Sequence, residues 1–243
     1  MSDYSQTIDK LKSLRLHGMA EALQEARRCG GGQSPEQLLA ELTDAEWDAR
    51  VQRRTARLLK QAKLRFTATL DQLDYSPERN LDRDMVARLQ GTEWIWQGST
   101  VLITGPTGSG KSFLACALGR EACLSGVAAR YESTPKLFPR LRERKGDGTY
   151  AKEIERIAKT PLLIIDDFGL LPLELNDRLA LLEILEDRYR KHATVVVSQL
   201  PIESWHETIG EPTVADAVMD RLAHTPFIFN LQGGSMRKHQ RTD

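Results

Sequence analysis

The sequence predicts an α/β protein: a three-layer fold around a five-stranded parallel sheet, preceded by a small all-helical N-terminal domain. Three observations carry this. Five short apolar runs rich in β-branched residues lie in the later part of the chain: STVLITG (99–105), GVAARYES (126–133), PLLIIDD (161–167), ATVVVSQ (193–199) and TPFIFNL (225–231). Helical stretches separate them, at 111–125, 134–145, 150–159, 174–191 and 212–223, and strands apolar throughout that alternate with helices belong in a parallel sheet covered on both faces. Before them the apolar spacing is helical alone, so the chain is divided into 1–90 and 91–243.

In the first part, Leu11, Leu14, Met19, Ala22 and Leu23 recur at helical spacing over 4–28, and Cys29-Gly30-Gly31-Gly32 stops the helix because consecutive glycines hold too much backbone entropy. Ser34 is the predicted N-cap of a second helix with Pro35 in its first position, running to about residue 65. A polar connector, Asp71–Asn80, and a short helix over 82–90 lead to Gly91.

A chain of 243 residues, 40% hydrophobic and 28% charged, buries an ordinary core without staples. No run of about 18 apolar residues exists, and the start of the chain lacks the apolar region of a secretory signal. Cys29, Cys116 and Cys123 are odd in number, which argues against a disulfide framework, and include no C-x-x-C pair for a zinc site, so the sequence predicts a reduced, cytoplasmic protein.

The strongest chemical signal follows the first strand. Gly105-Pro106-Thr107-Gly108-Ser109-Gly110-Lys111-Ser112 fits G-x-x-x-x-G-K-[ST] in full, between a strand and a helix that continues through Phe113. Glycines let successive N–H groups turn toward phosphate oxygens, and the helix adds its positive end. Lys111 supplies charge to the β- and γ-phosphates of ATP, and Ser112 ligates Mg²⁺. PLLIIDDFG supplies the second half: Asp166, at the strand end, holds Mg²⁺ through water, and Asp167 orients or deprotonates the attacking water. Many ATPases of this kind carry Glu there, and Asp167 is shorter by one methylene. At the tip of the next strand Gln199 is the first choice, and Ser198 the second, for a side chain that senses the γ-phosphate.

Arginines near the end complete the reading. An amphipathic helix ends at Asp220-Arg221, where Arg221 is placed to reach the nucleotide of an adjoining subunit. Arg237, after the last strand, is assigned to the nucleotide of its own subunit, and Arg188 is a weaker candidate for the subunit interface. Trp94 and Trp96 fit either an adenine wall or the core, and Trp47 and Phe66 are read as core.

Net charge is zero, with 34 basic and 34 acidic side chains, yet RVQRRTARLLKQAKLR (50–65) holds seven bases and no acid. On a helix Arg50, Arg53, Arg54, Arg57 and Arg65 share an arc of about 120°, flanked by Lys60 and Lys63 and bordered by an apolar face. Such crowding is repulsive unless a polyanion or another segment relieves it. The arginine-rich stripe predicts contact with a phosphate backbone, weakly selective for sequence and sensitive to salt. The competing partner is residues 1–48, which carry nine acids and five bases.

Taken with LRLHGMAEAL, AEWDARVQRRTARLLKQAKLR, LLIIDDFGL, SQLPIESWHETIGEPTVADAVMDRLAH and GGSMRK, these motifs make nearly the whole chain resemble the IstB-like helper ATPases of bacterial insertion sequences, AAA+ proteins related to the DnaC-type helicase loaders. The resemblance implies that ATP promotes self-assembly on duplex DNA and that the assembly directs or activates a partner transposase. It carries the family's ATP-site roles onto Gly105–Ser112, Asp166, Asp167 and Arg221. A helicase loader shares the ATPase core and is the alternative. A nucleotide kinase fits less well, because no lid with several arginines is present.

Overall fold

The computed structural model describes residues 3–30, 33–224 and 226–235. The chain forms two compact units, Met1–Arg57 and Leu58–Asp243. The division falls earlier than the boundary drawn at residue 90 from helical spacing.

In the first unit the helix expected over 4–28 is two helices, α1 (Asp3–Ser13) and α2 (His17–Arg28). The break is at Arg15, whose φ of 60° is left-handed and reverses the chain. The Tyr4 hydroxyl then donates to the Leu23 carbonyl at 2.5 Å, and Arg27 stacks over the Tyr4 ring. Helix α3 (Pro35–Ala62) begins as predicted: the Gln37 amide donates to Ser34 Oγ and the Ser34 amide to Gln37 Oε1, a reciprocal cap. Gly18 has to be glycine, because a Cβ there would stand 2.4 Å from the Ala45 carbonyl oxygen. At this crossing Glu46, only 5% exposed, accepts the Gly18 amide at 2.8 Å, a carboxylate at the positive end of α2. Trp47, expected in the core, is 70% exposed instead; it lies on the outer face of α3.

In the second unit, α3 ends at Ala62 rather than near 65 because Lys63 adopts a φ of 52°. Helix α4 (Arg83–Arg88) is capped by Asp82, and α5 (Glu93–Trp96) is a short addition. Alternating strands and helices follow: β1 (Thr100–Thr104), α6 (Lys111–Leu124), β2 (Ala129–Ser133), α7 (Thr134–Gly146), α8 (Tyr150–Ala158), β3 (Leu162–Phe168), α9 (Leu175–Arg188) and β4 (Ala193–Ser198). Then come α10 (Trp205–Ile209), α11 (Pro212–Leu222) and β5 (Pro226–Asn230). All five predicted strands join one parallel sheet in the order β2-β3-β4-β1-β5.

The three central strands, β3, β4 and β1, are buried on both faces, whereas the edge strand β5 is largely exposed. Val101, Ile103, Ile164 and Val195 pack on one side with Leu114 and Leu118 of α6. Leu102, Leu163, Ile165 and Val196 pack on the other with Leu181, Ile184 and Trp205. This explains the uninterrupted apolar runs. Trp94 is core, 3% exposed, with its indole N–H donating to the Leu89 carbonyl, whereas Trp96 is 60% exposed. No helix among the described residues is long and apolar enough to cross a membrane.

Candidate functional site

The site is built where β1, β3 and β4 end. After β1 the chain turns through Gly105, Gly108 and Gly110, with φ of 138°, 86° and 97°. A Cβ on Gly105 would stand 2.1 Å from the Leu231 carbonyl oxygen, and one on Gly108 would stand 2.4 Å from Ser235 Oγ. The segment after β5 thus presses on the loop from behind, so glycine is required for space as well as for φ. Helix α6 starts at Lys111, and its first-turn amides face a cavity of about 480 Å³ lined by Thr107, Ser112 and Phe113 among others. Lys111 is 7% exposed, and its ammonium donates to the Pro106 carbonyl at 2.7 Å. Ser109 Oγ is buried and has no protein partner among the described residues.

The acids sit on the facing wall. The β3–β4 register runs Ile165↔Val196 and then Phe168↔Ser198, so β3 carries one extra residue there. Asp167, in that bulge, adopts a φ of 58°, an uncommon conformation for a side-chain-bearing residue and one that re-aims its carboxylate. Asp166, 1% exposed, accepts the Asp167 amide at 2.7 Å on Oδ1 and the Tyr131 hydroxyl on Oδ2. Burial, and then the Asp166 carboxylate beside it, push the Tyr131 phenol above its ordinary range, so it stays a donor. Ser133 Oγ donates to Asp167 Oδ2 at 3.0 Å, and Thr134 Oγ1 to the Asp167 carbonyl at 2.7 Å. Gln199, at the tip of β4, accepts the Thr107 hydroxyl at 2.6 Å on Oε1 and so bridges to the glycine loop. The hydroxyl of Ser198 donates to the Phe168 carbonyl and accepts the Leu200 amide, so Gln199 is the better placed of the two.

These groups suit a hard divalent cation bound with a phosphate ligand. Ser112 and Asp166 line the same cavity and offer oxygen donors. Among the described residues no cluster of three or more His, Cys, Asp and Glu could cage a metal alone.

Several placements depart from the sequence reading. Arg65 is not on the basic helical arc: past the break at Lys63 it turns into the cavity, where its Nη1 lies 3.4 Å from Asp167 and 3.8 Å from Asp166. Phe66, expected in the core, is 38% exposed and lines the cavity, 6.4 Å from the Phe113 ring. Neither Trp94 nor Trp96 lines it; Thr67 and Gln72 do. Arg188 cannot serve an interface, because it is 1% exposed and donates to the carbonyls of Ile157, Ala158, Thr160 and Ala193 and to Thr194 Oγ1. Tyr131, Ser133 and Thr134 were not singled out, although the parallel pairing Ser133↔Asp166 puts RYES beside LLIIDD.

Arg221 ends α11 and pairs with Glu186 at 2.7 Å and with Asp220, its guanidinium 4.9 Å from the Tyr189 ring. It shares a small cleft with Thr100 and Thr194, the residues near the starts of β1 and β4. The glycine loop follows the other end of β1, so Arg221 and the loop of the same chain occupy opposite ends of the sheet. Arg237 lies outside the described residues.

On α3, Arg50, Arg53, Arg54, Arg57 and Lys60 are exposed, and Lys63 follows the helix. Arg50 and Arg53 pair with Glu46 at 2.7 and 3.2 Å. The competing reading, in which acids of 1–48 relieve the stripe, is thus met in part: one carboxylate, Glu46, takes two of its arginines.

The family model of IstB-like ATP binding proteins matches residues 9–243. The chain is 44% identical over 237 residues to y4pL of Sinorhizobium fredii, whose name places it among insertion sequence ATP-binding proteins, covering 97% of each chain. Among solved structures the fold is similar to DnaI, with a TM-score of 0.59 at 19% identity over 73% of this chain and 94% of that one. It is also similar to the DnaC helicase loader, with a TM-score of 0.56 at 19% identity over 70% and 100%.

Proposed function

Because this chain belongs to the family of IstB-like ATP-binding proteins, we propose that it is the ATP-dependent helper of an insertion-sequence transposition system. In this reading it self-assembles on duplex DNA with ATP between subunits, hydrolyses that ATP, and directs or activates a partner transposase. The observation that carries it is the convergence of Lys111, Asp166, Asp167 and the Thr107–Gln199 bridge on one cavity at the head of a helix.

The amides of 105–112 and the start of α6 cradle the phosphates, and Lys111 leaves the Pro106 carbonyl for the β- and γ-oxygens. Ser112 and Asp166 would hold Mg²⁺, which supplies charge neutralisation at those oxygens. Water attacks the γ-phosphorus while the bond to the β–γ bridging oxygen breaks, giving ADP and phosphate, and Asp167 takes the proton of that water. Gln199 turns from Thr107 toward the γ-phosphate. Arg221 of an adjoining copy, released from Glu186 and Asp220, adds the remaining positive charge, which makes hydrolysis depend on assembly. The exposed bases of α3 supply the contact with the DNA backbone.

The test is Lys111→Ala, with DNA binding and assembly measured with and without ATP. Loss of ATP-dependent assembly supports the reading, and assembly at wild-type level with ATP sinks it. The loader alternative rests on a likeness of fold alone. A loader would prefer single strands and capture a hexameric helicase, so competition between single- and double-stranded DNA separates the two.

A further inference from the structure

We propose that Arg65 is a cis arginine of the nucleotide site that neutralises the Asp166–Asp167 pair in the metal's place until nucleotide arrives, so that divalent metal enters together with ATP. This rests on the ATP-site reading above and deepens it. Two adjacent carboxylates, one of them almost fully buried, face the same cavity. Such a pair is costly without a nearby cation. Among the described residues the cation paired with both is Arg65, 3.4 Å from Asp167 and 3.8 Å from Asp166.

The local build suits a charge that stays until it is displaced. Lys63, at a φ of 52°, ends α3 and turns the chain to the cavity, where Phe66 lies 6.4 Å from the Phe113 ring. The Arg65 side chain is 41% exposed, at the cavity mouth, and can swing away without opening a hole in the core. Asp166 keeps the Asp167 amide and the Tyr131 hydroxyl when Arg65 leaves, so it is not stranded. The departing guanidinium meets a ligand of suitable geometry in the incoming γ-phosphate, because its planar fork matches phosphate oxygens. Nucleotide and metal thereby become thermodynamically linked, each favouring the other's binding.

The test uses the full chain with Mn²⁺ as probe, its free concentration read by electron paramagnetic resonance, first without nucleotide. Arg65→Gln is expected to lower the half-saturating Mn²⁺ by at least about fivefold, since a repelling charge near 4 Å is removed. Arg65→Lys, which keeps the charge, stays within about twofold of wild type. Nucleotide binding in EDTA, followed with a fluorescent ATP analogue, weakens severalfold in Arg65→Gln, because the γ-phosphate loses its guanidinium partner. A half-saturation point for Arg65→Gln equal to or above wild type overturns the proposal. Failure of the underlying reading looks different: wild type would then bind no nucleotide, or Lys111→Ala would bind it as wild type does, whatever stands at 65.

Discussion

Arg65 and Asp167, 102 residues apart in sequence, meet at 3.4 Å across the mouth of the cavity. Asp167 is held from three sides: by Arg65, by the Ser133 hydroxyl on its carboxylate, and by the Thr134 hydroxyl on its carbonyl. It keeps a left-handed backbone in spite of its side chain. A residue so constrained in an unfavourable conformation is held for its position, since relaxing it would otherwise gain roughly 1 kcal/mol or more.

The first prediction separates the two acids. Asp166→Asn is expected to weaken Mg²⁺-dependent nucleotide binding by at least about tenfold, because a buried oxygen donor beside the phosphate cradle loses its charge. Asp167→Asn leaves nucleotide affinity within about threefold but lowers the hydrolysis rate by about 100-fold or more, the usual scale for removing a general base. Fluorescent-nucleotide titration and steady-state phosphate release measure the two quantities. Equal effects of both substitutions on affinity would refute this division of labour.

Arg221 gives a prediction about partnership. It lies at the end of the sheet opposite its own glycine loop, and its pairing with the half-exposed Glu186 is a surface contact that contributes little to stability. Arg221→Ala therefore leaves folding and single-site nucleotide binding nearly unchanged while abolishing the assembly-dependent hydrolysis of ATP. Mixing Arg221→Ala with Lys111→Ala restores part of the activity, because a mixed interface joins an intact loop to an intact arginine. If the mixture stays as inactive as its components, the arginine does not act across subunits.

The glycine loop and Asp166 were legible because their signals are local: a glycine spacing, and an acid at the end of an apolar run. Arg65 was not, because its place depends on one backbone angle at Lys63, where no glycine or asparagine marks a helix end. Tyr131 and Ser133 become visible only once β2 is known to lie beside β3. EDRYRKH reads as a segment that offers Arg188 to a subunit interface, yet Arg188 is drawn inward by the carbonyls of Ile157, Ala158, Thr160 and Ala193. Trp47 and Phe66 were assigned by hydrophobicity, which does not show which face of an element finds a cover.

Arg188 yields a stability prediction. Its guanidinium is fully desolvated, and neutral carbonyls and one hydroxyl satisfy it. Arg188→Leu strands those acceptors without water, at a cost of roughly 3 kcal/mol or more. For a unit of this size the melting temperature should fall by roughly 10 °C. Thermal unfolding followed by circular dichroism checks this. A shift under 2 °C or so would mean that water replaces the side chain freely.

Glu46 sets a pH dependence in the first unit. Its hydrogen bond from Arg50, first, and the Met19 and Gly18 amides hold its carboxyl below the ordinary carboxylate range. A carboxyl whose folded pKa is depressed contributes stability that is complete above the unfolded value and is lost as pH falls through the folded one. Hydrogen-exchange protection of the Gly18 and Met19 amides should therefore hold above the ordinary glutamate range and fall as pH drops through it toward the depressed folded value. Glu46→Gln flattens that drop. An unchanged profile in the variant would assign the pH response to another acid.

The same carboxylate bears on DNA affinity. Arg50 and Arg53 share Glu46, whereas Arg57 and Lys60 are exposed on α3 with no acid between 49 and 70. Each base that neutralises a phosphate contributes about 0.9 to the slope of log affinity against log salt on duplex DNA. Arg57→Ala with Lys60→Ala should thus lower the slope by about two per subunit engaged, similarly for unrelated sequences. Glu46→Gln moves it the other way, because Arg50 and Arg53 then have only phosphate as an anionic partner at that crossing. Fluorescence anisotropy with ATP at stepped salt concentrations measures both. If neither variant changes the slope, the basic stripe is solvated surface and the DNA path lies elsewhere on the protein.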